Sequence, residues 1–187
     1  MKIAFTGSHG VGKTTLMTIV AKNHPEYEVQ LESLTRKTVN DPSKLNLTTP
    51  EESEKLIAEA YMNYFLERKD KNFISSRHMI DVLAYSMYLE KKNGNISDET
   101  MEGIEDKIEE IKKLKLFDLV MYVPIEFEQQ ESGKFREGQK ENPDYQRDID
   151  TIIKFLLWGY NIPYVTISGT KEERIVKIES YLGKGKA

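Results

Sequence analysis

The sequence predicts a three-layer α/β sandwich in which a five-stranded parallel sheet is covered by helices on both faces. Three observations lead to this prediction: short apolar segments alternate with helical patterns, the strands are apolar throughout, and a glycine-rich loop follows the first strand. Ligands of such sheets bind beyond the carboxyl ends of the strands. The polar residues that follow each strand are therefore the candidates for a functional site.

Each predicted strand is a short apolar segment that leads into a helical pattern or a turn. The helix after the glycines carries Leu16, Ile19 and Val20 on one face, and Thr49-Pro50 places a threonine cap and a proline at the start of another helix. The predicted strands cover residues 2–6, 27–31, 72–75, 117–123 and 162–167. Helices are predicted after residue 12, over 50 to about 69 with Leu56 on the buried face, across the apolar repeats within 80–88, 101–114 and 149–157, and after residue 170.

A charged segment at about 125–142 interrupts this alternation. It contains Gly133 and Gly138 and has no apolar period, which predicts a surface lid. Farther on, Thr170 and Glu173 fit a capping box for the last helix. No composition break marks a second core in 187 residues, so we expect a single domain over 1–187.

The composition argues against several classes of protein. The net charge of -4 comes from 31 acidic and 27 basic residues that are mixed along the chain, which gives no overall case for nucleic acid but leaves a local basic groove open. Without cysteine, and with only three scattered histidines, we expect no disulfide and no histidine or cysteine metal site. The chain shows no secretion signal and no run of about 18 apolar residues, so we expect a cytoplasmic protein without a membrane partner.

Residues 7–14 read Gly-Ser-His-Gly-Val-Gly-Lys-Thr, which matches the Walker A phosphate loop Gly-x-x-x-x-Gly-Lys-Thr. This spacing curls backbone N–H groups around phosphates, Lys13 would reach the β and γ phosphates, and Thr14 would hold magnesium. A turn that binds nothing is the alternative, but the motif lies between a strand and an amphipathic helix as a phosphate loop requires. The residues predicted to bind ATP here are Gly7, Ser8, His9, Gly10, Val11, Gly12, Lys13, Thr14 and Thr15.

Four further polar residues follow predicted strands. Glu32 could accept a proton from an acceptor hydroxyl, and Arg36, one helical turn on, could face the same cleft. Arg77 could stabilise charge between donor and acceptor phosphates, and Asp81 could contact the acceptor or orient Arg77. The alternatives are a solvated ion pair for Glu32 and Arg36, a structural arginine at position 77, and a first-turn acid favoured by the helix dipole at position 81.

Arg136 is the candidate in the predicted lid, because glycines flank it as hinges and a closing lid must bring positive charge to the transferring group. The alternative is an ordinary charged loop. Five aromatic residues on the helices that would flank an acceptor could stack on a base, but such stripes are more often core: Tyr61, Tyr64, Phe65, Tyr85 and Tyr88.

Taken together, the phosphate loop, Glu32 and Arg36 after strand two, Arg77 after strand three and the arginine-bearing lid resemble the P-loop nucleoside and nucleotide kinases. Thymidylate kinases, deoxynucleoside kinases and nicotinamide riboside kinases belong to this group. One departure is Ser76, which stands where these enzymes typically have an acid before the arginine.

The resemblance implies a P-loop kinase fold with strand order 2-3-1-4-5. It implies ATP-dependent phosphoryl transfer to a nucleoside or (deoxy)nucleoside monophosphate, with ATP and Mg²⁺ as cofactors. Gly169 and Thr170, after strand five, would pass the adenine. Catalysis would fall to Lys13, Glu32, Arg77 and Arg136, and acceptor binding to Glu32, Arg36, Arg77 and Asp81.

Other P-loop classes fit less well. A GTPase of the usual kind needs an Asn-Lys-x-Asp segment, which this chain lacks, and a motor or AAA-type ATPase usually carries an apolar strand that ends in aspartate. Three alternatives stay open: a nicotinamide riboside kinase, a kinase of hydroxymethylated pyrimidine in DNA, and a regulatory P-loop ATPase without a small acceptor. The expected partner is a small nucleoside or nucleotide, and a homodimer is left open.

Overall fold

The computed structural model describes residues 1–31, 33–38, 50–126 and 144–184, and these residues form five strands and seven helices. In chain order the elements are β1 Lys2–Thr6, α1 Lys13–Asn23, β2 Glu28–Val29, α2 Leu34–Thr38, α3 Glu51–Leu66, β3 Phe73–Ser75, α4 Met79–Asn93, α5 Asp98–Lys113, β4 Leu119–Tyr122, α6 Tyr145–Gly159, β5 Tyr164–Thr166 and α7 Lys171–Lys184.

The five strands form one sheet, and every pair within it is parallel. The strand order is β2-β3-β1-β4-β5, which confirms the predicted order. Because β1 lies at the centre, the loop that follows it leaves the sheet between the ends of β3 and β4. The carboxyl ends of these three strands thus surround the phosphate loop.

Helices cover both faces of the sheet, as predicted for a three-layer sandwich. Successive side chains in a strand point to opposite faces, so Phe73 packs with α3, α4, α5 and α6 whereas its neighbour Ile74 packs with α1 and α7. In β4, Val120 belongs to the first cluster and Met121 to the second. Burial on both faces explains why the inner strands β1, β3 and β4 are mainly apolar, whereas the edge strand β5 is partly exposed, with Tyr164 at 42%.

Three local predictions differ from the structure. Strand β2 has two residues instead of the predicted 27–31, and the short helix α2 was not predicted. Pro50 is the N-cap of α3 and not its first helical residue. Leu56, predicted to be buried in α3, is 47% exposed, whereas Glu54 is 4% exposed because that face of the helix meets Ser86 of α4.

Several predictions fall on residues outside the described ranges. Glu32, Arg136 and the lid apart from residues 125 and 126 are among them, and so is the threonine cap at position 49. The single domain over 1–187 also stays a prediction. Within the described ranges, no helix combines the length and the apolar character needed to cross a membrane.

Candidate functional site

The phosphate loop takes the backbone shape that its glycines predict. Gly7, Gly10 and Gly12 have φ values of 140°, 77° and 93°, a region that side chains with a Cβ rarely adopt. A Cβ on Gly7 would also lie 2.5 Å from the carbonyl oxygen of Val123, just beyond β4. Glycine at position 7 is therefore required by both conformation and space.

Lys13 folds back over this loop from the start of α1. Its ammonium donates hydrogen bonds to the carbonyl oxygens of Gly7 and Ser8, the latter at 2.7 Å. The positive charge thus lies inside the curl of the loop, where a phosphate group would be bound. This placement agrees with the role that the motif predicts for Lys13.

His9, in the middle of the loop, joins it to two helices on the other side of the cleft. Its ring is buried, with Nδ1 3.2 Å from the hydroxyl of Tyr85 and the ring centroid 4.8 Å from that of Tyr145. Its carbonyl oxygen accepts a hydrogen bond of 2.6 Å from Nε2 of Gln146, at the start of α6. The loop is therefore anchored to both α4 and α6.

Asp81 lies beneath the phosphate loop and is fully buried. One carboxylate oxygen accepts a hydrogen bond from the Gly7 amide at 3.2 Å, and the other accepts from the amide of His78, the N-cap of α4, at 3.1 Å. Burial raises the pKa of Asp81 although Lys13 and Arg77 act in the opposite direction. Asp81 ties the loop to α4 and does not line the cavity described below; its predicted role in acceptor binding stays a prediction.

Arg77 lies between β3 and α4, and its guanidinium carbon is 4.8 Å above the ring of Tyr85. Burial by itself would lower the pKa of Arg77, but Tyr85, Tyr61 and Asp81 raise it, so the side chain keeps its charge. The adjacent His78 packs against Phe117, and burial lowers its pKa to about 3. Of these two neighbours, only the arginine brings a positive charge to the site.

The ends of β2 and β3 are joined by Gln30, which the sequence analysis missed. Its side-chain oxygen accepts hydrogen bonds from the Ser75 hydroxyl at 3.0 Å and from the amide and hydroxyl of Ser76 at 3.1 and 3.2 Å. A backbone N–H can only donate, so the amide oxygen must face it. Ser76, which replaces the usual acid, is therefore part of a neutral hydrogen-bonded strand junction.

A cavity of about 620 Å³ opens beside the phosphate loop. It is lined by the phosphate loop with the start of α1, and by residues that follow β2 and β3. Among the predicted site residues, Arg36 and Arg77 are brought together with the loop. The lining residues are His9, Gly10, Val11, Gly12, Lys13, Thr14, Thr15, Leu31, Ser33, Arg36, Lys37, Ser76 and Arg77.

Behind Arg77, the buried carboxyl of Glu54 joins α3 to α4, and the sequence analysis missed this residue as well. The Ser86 hydroxyl donates to it at 3.0 Å. Burial raises the pKa of Glu54 from 4.5 to about 7, although Ser86 and Arg77 lower it. Of the aromatic stripe, Tyr61, Phe65, Tyr85 and Tyr88 are buried in the core and Tyr64 is partly buried against it.

Gly169 and Thr170 lie after β5 and are not among the residues that line the cavity. The amide of Thr170 donates to Glu173 at 2.8 Å and the Thr170 hydroxyl accepts from the amide of Glu173 at 3.2 Å, which confirms the capping box. Gly169 has a φ of 103°. The role of both residues in binding adenine stays a prediction.

The described residues contain no group of three or more acidic or histidine side chains that could hold a metal ion. Thr14, the predicted magnesium ligand, is exposed at the start of α1 and lines the cavity.

A family model described as an AAA domain matches residues 2–174. The chain belongs to this family. The sequence analysis argued against an AAA-type ATPase because no strand ends in aspartate, and the family description shows that this absence does not separate the chain from AAA domains. A comparison with curated proteins finds no match.

Solved structures with a similar fold include nucleoside and nucleotide kinases. A deoxyadenosine kinase from M. mycoides with dCMP and dCDP bound has a TM-score of 0.72 at 17% identity, covering 98% of this chain and 100% of that one. The thymidylate kinase of Candida albicans has a TM-score of 0.66 at 14% identity, with 98% and 91% covered. NadR in complex with NR has a TM-score of 0.68 at 14% identity, with 97% of this chain and 50% of that one covered. The resemblance to P-loop nucleoside and nucleotide kinases is thus confirmed at the level of the fold.

Proposed function

We propose that the chain is an ATP-dependent phosphotransferase that phosphorylates a nucleoside or a (deoxy)nucleoside monophosphate. One observation carries this proposal: the phosphate loop and the side chains of Arg36, Lys37 and Arg77 line the same cavity. A site that binds a triphosphate alone needs only the phosphate loop. Cationic side chains on the facing wall add a place for a second, phosphate-bearing substrate.

On the donor side, the loop amides and Lys13 would hold the triphosphate of ATP. Lys13 would exchange its contacts with the Gly7 and Ser8 carbonyls for the β and γ phosphates. Thr14 would supply a hydroxyl to a magnesium ion that arrives with the nucleotide. When bound, that ion neutralises charge on the transferring phosphoryl group. Gly169 and Thr170 would contact the adenine.

On the acceptor side, Arg77 would lie between the two substrates because it follows the strand next to the phosphate loop. Its stacking on Tyr85 holds the guanidinium in one direction, which suits a group that must stabilise charge without reorganising. Arg36 would help to bind the acceptor, and Asp81 would orient Arg77 toward it. Glu32 would accept the proton of the acceptor hydroxyl, and Arg136 would close over the transferring group. These four roles are parts of the proposal.

The names of the structural relatives support this class of acceptor. A kinase of deoxyadenosine and one of thymidylate share the fold across nearly the whole chain, which favours a deoxynucleoside or its monophosphate. NadR was solved with NR, so nicotinamide riboside is retained as an acceptor to be tested. A hydroxymethylated pyrimidine in DNA is also retained as an acceptor to be tested; it is larger than a nucleoside but would be phosphorylated by the same reaction. A cytoplasmic location is also part of the proposal.

A second candidate is a regulatory P-loop ATPase without a small acceptor. The junction at Gln30 favours it, because Ser76 provides a hydroxyl where the kinases typically have an acid. The description of the matching family as an AAA domain points in the same direction.

Labelled ATP with magnesium separates these candidates. The protein is incubated with nucleosides, nucleoside monophosphates, nicotinamide riboside and hydroxymethylated DNA, and the products are resolved by chromatography. We expect label on one class of nucleoside or nucleotide. Label that appears only as free phosphate with every acceptor would contradict the kinase and support the ATPase.

Glu32→Gln tests the proposed base within the same assay. We expect it to lower turnover more than it lowers ATP affinity, since the proton transfer is lost and the phosphate loop is intact. Glu52→Gln, at an exposed position in α3, is the matched control. An unchanged turnover in Glu32→Gln would show that Glu32 is not the base.

A further inference from the structure

Arg174 in the first turn of α7 is buried, with 3% of its surface exposed, and it contacts four residues in three separate parts of the chain. Its Nε donates to the carbonyl oxygen of Gly169 at 2.9 Å, and Nη1 donates to that of Val11 at 2.8 Å. Nη2 lies 3.3 Å from the carbonyl oxygen of Pro124 and 2.7 Å from Oε2 of Glu126. One guanidinium thus joins the phosphate loop, the exit of β4 and the loop after β5.

Glu126 completes this arrangement. The same carboxylate oxygen that receives Nη2 of Arg174 also accepts a hydrogen bond from the amide of Gly169 at 2.6 Å. Burial tends to raise the pKa of Glu126, but the hydrogen bonds from Arg174 and Gly169 outweigh it and lower the pKa. Glu126 therefore stays charged near neutral pH and holds both Arg174 and Gly169.

A second cation of α7 holds the same loop. Nζ of Lys177 lies 3.0 Å from the carbonyl oxygen of Ser168 and 2.7 Å from its hydroxyl. Lys177 and Arg174 of α7 thus contact residues 168 and 169 at their carbonyl oxygens and at the Ser168 hydroxyl. The loop 168–170 is therefore fixed relative to α7 by side chains, and relative to the phosphate loop through Arg174.

The contact with Val11 places the guanidinium directly behind the phosphate loop. A Cβ built on Gly12 would lie 4.0 Å from Nη1 of Arg174. A salt bridge that only stabilised the fold could join any two elements. Here the four residues that the guanidinium of Arg174 contacts lie in the phosphate loop, the loop 168–170 and the 124–126 segment. Each of these segments follows a strand, at the edge of the sheet where ligands bind.

We propose that Arg174, held by Glu126, is a positioning residue that fixes the phosphate loop and the loop 168–170 at one separation, so that the triphosphate and the base of a single donor nucleotide are bound together. This inference rests on the proposed function, in which the donor is ATP. Arg174 touches neither reacting group; it acts through Val11 and Gly169.

The inference predicts a difference between two ligands. Inorganic tripolyphosphate can contact only the phosphate loop, whereas ATP engages the loop 168–170 as well. Glu126→Ala removes the carboxylate that holds Arg174 and Gly169 but leaves the contact between Nη1 and Val11. We expect the ATP affinity to fall about tenfold, while the tripolyphosphate affinity changes by less than about twofold.

Isothermal titration of the full chain with ATP and with tripolyphosphate measures the ratio of the ATP affinity to the tripolyphosphate affinity. The ratio does not depend on the fraction of folded protein, because both ligands report on the same molecules. Glu172→Ala, at an exposed position two residues before Arg174, is the matched control and should keep the wild-type ratio. Arg174→Lys keeps the charge but cannot reach all four partners, and it should lower the ratio at least as much as Glu126→Ala.

Equal losses for ATP and tripolyphosphate in Glu126→Ala would overturn the inference, and so would a wild-type ratio in Arg174→Lys. In either case a wild type that binds ATP leaves the proposed function standing. A wild type that binds no ATP at all would overturn both.

Discussion

The proposed donor and acceptor sides of the cavity are built differently. On the donor side, the phosphate loop is tied to other elements at Gly7, His9 and Val11, through Asp81, Gln146 and Arg174. On the acceptor side, Arg36 and Lys37 lie on α2, a helix of five residues with no buried residue. Arg77 is the exception there, because it stacks on Tyr85.

This difference suits the proposed phosphotransferase. Every turnover uses the same triphosphate group. A loop already held by buried contacts therefore binds it with little loss of conformational entropy. The acceptor distinguishes one kinase from another, and short exposed elements change most easily in sequence. Mutations on the donor side should therefore lower the rate of phosphoryl transfer. Most mutations on the acceptor side should instead lower the affinity for the acceptor.

The largest effect is expected on the donor side, from Lys13→Ala. Removing the ammonium from the curl of the loop should lower kcat/KM by about 100- to 1,000-fold, because a preorganised charge on the transferring phosphates is lost. Steady-state kinetics with the acceptor found in the labelled-ATP assay measures this, with the exposed Lys55→Ala as control. A loss below about tenfold would show that the loop does not serve the transfer.

Arg77→Met should have the next largest effect, about 100-fold in kcat, since a fixed cation between the substrates is removed. Arg77→Lys keeps the charge but not the planar fork and should recover part of the loss. If Arg77→Met changed only the KM of the acceptor, Arg77 would be equivalent to the exposed cations of α2 and the contrast within the acceptor side would disappear.

The buried carboxyl of Glu54, near Arg77, should make the free energy of unfolding depend on pH. Its pKa is raised from 4.5 to about 7 in the folded protein, so folding favours the protonated carboxyl; this contribution is complete below pH 4.5 and is lost as the pH rises through about 7. Relative to Glu54→Gln, the wild type should lose roughly 2 kcal/mol of unfolding free energy between pH 5 and pH 8. Denaturant unfolding of both proteins measures the difference, which would be independent of pH if Glu54 were ionised throughout.

The smallest effect is expected from Arg36→Ala. This exposed side chain should raise the acceptor KM by about tenfold and leave kcat and the KM of ATP within twofold, because it would contribute one charge-assisted contact to the acceptor. Arg36→Lys should keep most of the affinity. A larger change in the KM of ATP than in that of the acceptor would place Arg36 on the donor side.

The same contrast explains what the sequence could predict. The phosphate loop is readable because eight consecutive residues specify its backbone, and the alternation of strands and helices specifies the sheet. Gln30, Glu54 and Arg174 were missed because their roles depend on distant partners; Arg174 and Val11 are 163 positions apart. For Gln30 a signal existed, since it is a polar residue inside the predicted buried strand 27–31.

Asp81 shows a different limit of sequence reasoning. Its position in the first turn of α4 was compatible with contact to the acceptor and with a structural acid. The structure adds that both carboxylate oxygens accept backbone hydrogen bonds, from Gly7 and His78. Side-chain direction decided where this residue lies, and no spacing pattern encodes it.

The claim that donor and acceptor bind in one cavity is tested most directly by the affinity of dinucleoside pentaphosphates, in which adenosine is joined through five phosphates to adenosine, thymidine, cytidine or guanosine. Isothermal titration compares each with ATP. The account predicts that at least one binds about 100-fold more tightly than ATP, because the second nucleoside is delivered within the same molecule, and that Arg77→Met removes most of this gain. A set in which none binds more tightly than ATP would contradict the two-substrate cavity.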